Sequence, residues 1–265
     1  MSHSPLGVFD SGVGGLSVLR EIRTLLPAEN LLYVADSGFA SYGPKPAAFV
    51  QERSLRISRF LIEQGAKAIV IACNTATAAA APLLRSTFSL PIVAMEPAVK
   101  PAVASTKSGV IGVLATAGTL GSAQFNNLVG RFGTQVKIVV QACPGWVEAV
   151  EAGKLDGDET RTLVASFISP LLAAGADTLV LGCTHYPFLR SLIGEVVGAD
   201  VTLIDSGQAV ARQVQRVLTE NGTLNQSNHA GSETFWTTGD DRSQKMLATL
   251  WGGSGDFYAS QVVNL

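Results

Sequence analysis

The chain has 265 residues, 47% hydrophobic and 15% charged, with 19 basic against 21 acidic side chains and a net charge of −2. That balance suits an α/β protein with buried strands and offers no basic footprint for nucleic acid. No apolar run reaches the roughly 18 residues that a membrane span requires, and Met1-Ser2-His3-Ser4-Pro5 lacks the basic and apolar regions of a signal peptide. Three cysteines in a chain of this length do not make a disulfide framework, so a cytoplasmic protein with free thiols is expected.

Leu6-Gly7-Val8-Phe9 reads as a buried strand that runs into Asp10-Ser11-Gly12-Val13-Gly14-Gly15. Leu16, Leu19, Ile22, Arg23 and Leu26 follow at helical spacing, and Pro27 marks the stop. Residues 31–35 predict a second strand. Residues 36–46, rich in Gly, Ser and Pro, predict a loop. Val50, Ser54, Ile57 and Leu61 line one face of a helix before the run Ile69-Val70-Ile71-Ala72-Cys73-Asn74-Thr75. A helix over 75–85, a strand over 91–95 and a helix after Glu96-Pro97 complete the first half.

The pattern then restarts at residues 109–114, where Gly112-Val113-Leu114-Ala115-Thr116-Ala117-Gly118 echoes residues 7–12. A strand over 136–140 leads through Cys143-Pro144-Gly145 into a helix that carries Glu148 and Glu151 and closes at Gly153. A helix over 159–173 leads to Leu179-Val180-Leu181-Gly182-Cys183-Thr184-His185. A strand over 201–204, a helix over 207–218, a polar linker over 221–232, a short strand over 235–238 and a helix from Asp240 close the chain. Strands alternating with helices predict parallel sheets with right-handed crossovers.

The two cysteine runs match, lead-ins included: Leu61-Ile62-Glu63-Gln64-Gly65-Ala66 stands beside Leu171-Leu172-Ala173-Ala174-Gly175-Ala176. Cys73 and Cys183 lie 110 residues apart (183 − 73), and Gly7 and Gly112 lie 105 apart (112 − 7). The expected architecture is therefore α/β, with two pseudo-symmetric, doubly wound parallel-sheet lobes and the active site between them. The first lobe takes residues 1–97 with 208–265, and the second takes 98–207. Chemistry in such sheets collects past the carboxyl ends of the strands, which is where both thiols fall.

A lone cysteine is commonly a small buried hydrophobe, but two at the same point of a repeat suggest a functional pair. Thiols on opposite sides of one substrate suit proton transfer at a stereocentre: one thiolate removes a proton and the opposite thiol donates one. An unperturbed cysteine is only slightly ionised at neutral pH, so neighbouring groups must tune it. Asp10, at the end of the first strand, and His185, two residues past Cys183, are the candidates. Glu151 is placed to orient or charge His185, with an ordinary surface carboxylate as the competing reading. A zinc site commonly contains a C-x₂₋₄-C pair. Cys183 and His185 have a single residue between them, and Cys73 has no such neighbour.

The glycines at 12, 14 and 15 do not make G-x-G-x-x-G, and no G-K-[ST] follows, so a nucleotide loop is discounted. The loop's N–H groups are expected to be free to hold a carboxylate. The hydroxyls of Thr116 and Thr119, at the equivalent turn, could do the same or simply cap a helix. Cys143 has no counterpart in the repeat and reads as structural. Trp146, Trp236 and Trp251 read as core or interface.

These residues, together with Tyr42-Gly43, Ala72-Cys73-Asn74-Thr75-Ala76 and Leu181-Gly182-Cys183-Thr184-His185-Tyr186-Pro187, resemble the glutamate racemases of the aspartate/glutamate racemase superfamily. The resemblance spans nearly the whole chain. It implies a cofactor-independent racemase in which Cys73 and Cys183 are the acid/base thiols. It also implies that Asp10, Ser11, Tyr42, Gly43, Asn74, Thr75, Thr184 and His185 bind or orient glutamate, that Thr116 and Thr119 hold a substrate carboxylate, and that Glu151 is the carboxylate near the histidine. It further implies no metal, a homodimer, and D-glutamate destined for peptidoglycan. One position departs from the pattern: the family usually has Pro before Tyr-Gly, and Ser41 stands here. Aspartate racemisation, or a non-catalytic amino-acid-binding module, are the alternative readings.

Overall fold

The computed structural model describes residues 2–259. Met1 and residues 260–265, which the expected first lobe includes, lie outside the described residues. The strands are β1 (Leu6–Asp10), β2 (Leu31–Ala35), β3 (Ala68–Ile71), β4 (Ile92–Ala94), β5 (Val110–Ala115), β6 (Lys137–Ala142), β7 (Thr178–Leu181), β8 (Thr202–Ile204), β9 (Glu233–Thr237) and β10 (Asp256–Tyr258). They form one sheet in the order β10-β9-β2-β1-β3-β4 and a second in the order β6-β5-β7-β8. Every pairing is parallel. The second sheet thus repeats the β2-β1-β3-β4 portion of the first.

The repeat extends to register. Leu6 pairs with Ala68 and Phe9 with Ile71 in the first sheet. Ile111 pairs with Thr178 and Leu114 with Leu181 in the second. Adding 105 to the β1 numbers and 110 to the β3 numbers converts one set into the other. Parallel strands covered on both faces need apolar residues throughout, and β1, β2, β3 and β7 are buried at every position. The repeated glycine has a packing reason. A Cβ on Gly7 would lie 2.9 Å from Ile69 and 3.2 Å from Leu61, and one on Gly112 would lie 2.5 Å from Leu179 and 2.9 Å from Leu171. In each half, the helix before the cysteine strand crosses the sheet where the first strand has no side chain.

The chain returns to the first sheet at its end. Helix Gly207–Glu220 packs against helix Leu16–Leu25, and β9 pairs with β2. Besides the two 3₁₀ turns Ser37–Phe39 and Tyr186–Leu189, three elements have no counterpart in the sequence reading: helices Ala123–Phe132 and Arg190–Val197, and β10. The first buries only Phe125 and Leu128, the second is eight residues long and contains Gly194, and β10 is three residues on a sheet edge. None carries enough periodic apolar positions to announce itself. The three tryptophans are structural, as the sequence suggests: Trp146 is fully buried against Tyr186, and Trp236 and Trp251 pack on Phe60 and Phe235. No helix among the described residues is long and apolar enough to cross a membrane.

The glycine contacts predict that Gly112→Val overpacks the second lobe at Leu171 and Leu179. A loss of about 1–3 kcal/mol is expected, seen as a lower urea midpoint with an unchanged m-value.

Candidate active site

Both cysteines sit just past the carboxyl ends of equivalent strands, β3 and β7, and both line one small cavity. Ser11, Tyr42, Gly43, Asn74, Thr75, Thr116, Thr119, Thr184 and His185 line it as well. All of these stand out in the sequence. Cys73, Cys143 and Cys183 are free thiols, and all three are buried.

The two thiols are held differently. Helix Asn74–Thr87 begins directly after Cys73, whose sulfur caps it and accepts from Ala76 N–H at 3.4 Å. After Cys183 the chain instead makes a short 3₁₀ turn, Tyr186–Leu189, with His185 at its start. That turn places His185 Nδ1 3.8 Å from Cys183 Sγ. Cys73 has the Ser11 hydroxyl at 3.9 Å. Burial, reinforced by Asp10, raises the Cys73 thiol well above its ordinary range, so at rest this sulfur holds its proton.

Asp10 and Glu151 stand behind the cavity wall. Asp10 is fully buried. Its Oδ1 accepts from Ser11 N–H at 2.6 Å, and its Oδ2 from Gly15 N–H at 2.5 Å and the Thr184 hydroxyl at 3.2 Å. Burial is the largest influence on its carboxyl and raises its pKa, while His185, whose Nδ1 is 4.0 Å away, pulls the other way. Glu151 ends helix Trp146–Glu151, and its Oε1 meets His185 Nε2 at 2.7 Å. Burial opposes a charge on His185, but contacts with Cys183, Glu151 and Asp10 outweigh it and raise its pKa well above 6.5. The imidazole is therefore held as a cation beside Cys183.

The glycine loop does something other than expected. Three of its N–H groups are taken by the protein's own carboxylates: Ser11 and Gly15 donate to Asp10, and Val13 donates to Glu151 Oε1 at 2.7 Å. The glycines allow the second half to come this close. A Cβ on Gly12 would lie 1.8 Å from Glu151 Oε1, and one on Gly14 would lie 2.2 Å from His185 Nδ1.

Polar groups left for a ligand lie on the other side of the cavity. The Thr75 hydroxyl is 2.8 Å from that of Thr116 and 3.2 Å from that of Thr119. Thr116 also caps helix Ala117–Leu120, so capping and cavity lining coincide. Both polar atoms of the buried Asn74 amide lack a partner among the described residues, a state that is costly without a ligand or water. Tyr42 is buried with its hydroxyl on Asp36 at 2.5 Å, so its backbone rather than its ring oxygen serves the cavity. Asp36 also accepts from Arg53 through both oxygens and from the Thr238 hydroxyl, which anchors the Tyr42-Gly43 loop. None of the described lining residues is Lys or Arg, so apart from the His185 imidazole an anion here would be held by neutral donors and helix ends. Among the described residues, no group of three or more His, Cys, Asp and Glu is arranged to hold a metal ion.

Sequence reasoning did not single out two lining residues, Val147 and Gly182. Gly182 precedes the second cysteine, and a Cβ there would lie 2.8 Å from Leu114 O. Its position in the repeat was a usable signal. Val147 sits beside Glu148 on a helix notable in the sequence only for its carboxylates.

A match to the family model described as Asp/Glu/Hydantoin racemase covers residues 11–214. The chain belongs to the Asp/Glu/hydantoin racemase family. Within it, the chain stands with the glutamate racemases. It is 57% identical over 253 residues to the glutamate racemase of Methylococcus capsulatus, covering 95% of this chain and 93% of that one. The crystal structure of glutamate racemase isoform RacE1 from Bacillus anthracis superposes with a TM-score of 0.87 at 35% identity, covering 97% of each chain. Glutamate racemase from Francisella tularensis in complex with D-glutamate superposes with a TM-score of 0.83 at 27% identity, covering 98% of this chain and 97% of that one.

The raised pKa of His185 has a consequence for stability. The folded state holds a proton that the unfolded state has released, so the contribution is fully present below the unfolded value. It is lost as pH rises through the folded value. Unfolding free energy measured from about pH 6 to about pH 9 should fall more steeply for the wild type than for His185→Asn, by up to about 1.4 kcal/mol per pH unit.

Proposed function

We propose that the chain interconverts L- and D-glutamate by proton transfer at Cα between Cys73 and Cys183. The observation that carries this reading is the placement of two thiols from equivalent strand ends on one small cavity, lined by hydroxyl and amide groups and by the His185 imidazole. In one direction the Cys183 thiolate, facing the charged His185, takes the Cα proton of L-glutamate, and the C–H electron pair passes into the α-carboxylate. Cys73, protonated at rest, gives its proton to the opposite face. D-glutamate leaves, with Cys183 protonated and Cys73 as the thiolate. The reverse reaction runs from that state, and exchange with water resets it. The Asn74 amide and the hydroxyls of Thr75, Thr116 and Thr119 are suited to hold carboxylate charge as it develops. Asp10 fixes Ser11 and Thr184 around the amino end.

The two lobes enclosing the substrate are residues 1–97 with 208–265 and residues 98–207. A homodimer, cytoplasmic residence, no metal or organic cofactor, and supply of D-glutamate to peptidoglycan belong to the same proposal, on the family's pattern. The return of β9 and β10 to the first sheet supports the division into lobes.

Purified protein given L-glutamate in deuterated water should gain deuterium at Cα as D-glutamate forms. Loss of optical rotation without label would overturn the two-thiol mechanism. Cys73→Ser and Cys183→Ser should each lower kcat/KM by at least about 10³-fold. L-aspartate, one methylene shorter, should turn over more slowly by a margin of roughly 1–3 kcal/mol.

Gly14→Ala should remove most activity by displacing the imidazole, with about 10²-fold lost from kcat. The same clash with a buried ring should also cost about 1–3 kcal/mol of stability, read as a lower melting temperature by circular dichroism.

A further inference from the structure

Two serines on the segment after β2 reach across the cleft to two carboxylates on one helix of the second half. Ser37 Oγ donates to Glu151 Oε2 at 3.1 Å, and Ser41 Oγ donates to Glu148 Oε1 at 3.0 Å. We infer that Ser37 and Ser41 form a two-point clasp that holds the cleft closed over glutamate, and that Ser37 is a positioning residue that steers His185 through Glu151. This rests on the racemase reading of the site.

Both sides of the clasp are rigid. The segment's base is fixed at Asp36, which takes four hydrogen bonds from Arg53, Tyr42 and Thr238. Arg53 in turn lies 4.0 Å over the Phe39 ring. The opposing helix Trp146–Glu151 is pinned by Trp146, fully buried on Tyr186. Neither side can give alone, so the two contacts open and close together.

The clasp lies at the cavity's edge. Ser41 lines the cavity from one side, and Val147, next to Glu148, lines it from the other. A ligand passing between them must part the segment from the helix. Glu148 is exposed and Ser41 half-buried, so the outer contact is solvated and can break at each turnover, as a gating contact must. The inner contact is tied to the chemistry. Glu151 Oε1 is held by Val13 N–H and His185 Nε2, and Ser37 occupies Oε2. With the clasp closed the carboxylate is fixed at both oxygens and the imidazole is aimed at Cys183. With it open, Glu151 loses Ser37 and keeps only the contacts at its Oε1. Closure and the aiming of His185 thereby become one event on the Cys183 side only. No equivalent contact links the segment to Cys73 among the described residues.

Ser37→Ala, Ser37→Thr and Ser41→Ala in the full chain test this. Racemisation has an equilibrium constant of one, so kcat/KM is equal in both directions for every variant. Direction must be read from Cα-deuterium isotope effects, measured separately from L- and D-glutamate. Ser37→Ala should lower kcat/KM about tenfold and enlarge the isotope effect only for the enantiomer that Cys183 deprotonates, and Ser37→Thr should recover to within about twofold. Ser41→Ala should raise KM about three- to tenfold with kcat unchanged or higher, because the lid opens more readily. Equal isotope-effect changes in both directions, or none, overturn the role of Ser37. An unchanged KM for Ser41→Ala overturns the clasp. Absence of glutamate racemisation in the wild type would instead mark failure of the proposed function, before any variant is compared.

Discussion

The Glu151 carboxylate can reach Val13 N–H and the His185 ring together only because residues 12 and 14 have no side chains. That close approach is the constraint on which the site depends. It brings a helix of the second half against a loop of the first, and it takes the Val13 N–H, while Asp10 takes those of Ser11 and Gly15, so these three do not face a phosphate or carboxylate ligand. A loop that looks from its glycines like a ligand cradle serves instead as a seat for the protein's own charged dyad. The site is left with neutral donors and the His185 imidazole facing the cavity, and with the carboxylates of Asp10 and Glu151 one layer behind it. Buried charges are tolerated when their hydrogen-bonding capacity is filled, and Asp10 and Asp36 each satisfy that condition with several donors.

The duplication accounts for why there are two thiols, and the break in the duplication accounts for why they differ. The strands preceding the cysteines share burial and pairing register. The segments after the cysteines diverge: a long helix begins at Asn74, and a 3₁₀ turn comes after Cys183. A helix N-terminus favours negative charge on the sulfur that caps it, yet burial and the nearby Asp10 carboxylate dominate at Cys73. At Cys183 the turn delivers an imidazolium. In the proposed mechanism, a pair with one protonated thiol and one cation-backed sulfur is set for a single direction of proton transfer, and the opposite direction uses the complementary state.

Much of this was legible in the chain. The strand and helix order, the two sheets, the 110-residue cysteine repeat and most of the cavity lining could be read from apolar runs, glycines and motif positions. These are local signals, and the parallel sheet converts them directly into position because chemistry gathers at strand ends. Short elements with few buried positions, such as helix Ala123–Phe132 and β10, left no comparable trace. Ser41 was visible only as a departure from a motif, with no hint of its partner on Glu148.

The sequence by itself determined that two related halves would each present a cysteine at the end of a buried strand, since strand burial and repeat spacing are written in consecutive residues. Only the tertiary structure decided which groups face those thiols. Val13 meets Glu151 across 138 positions and Thr184 meets Asp10 across 174. Contacts at such separations depend on how the two sheets are set against each other, and that setting is fixed by side-chain volumes missing at Gly12 and Gly14 rather than by any local pattern.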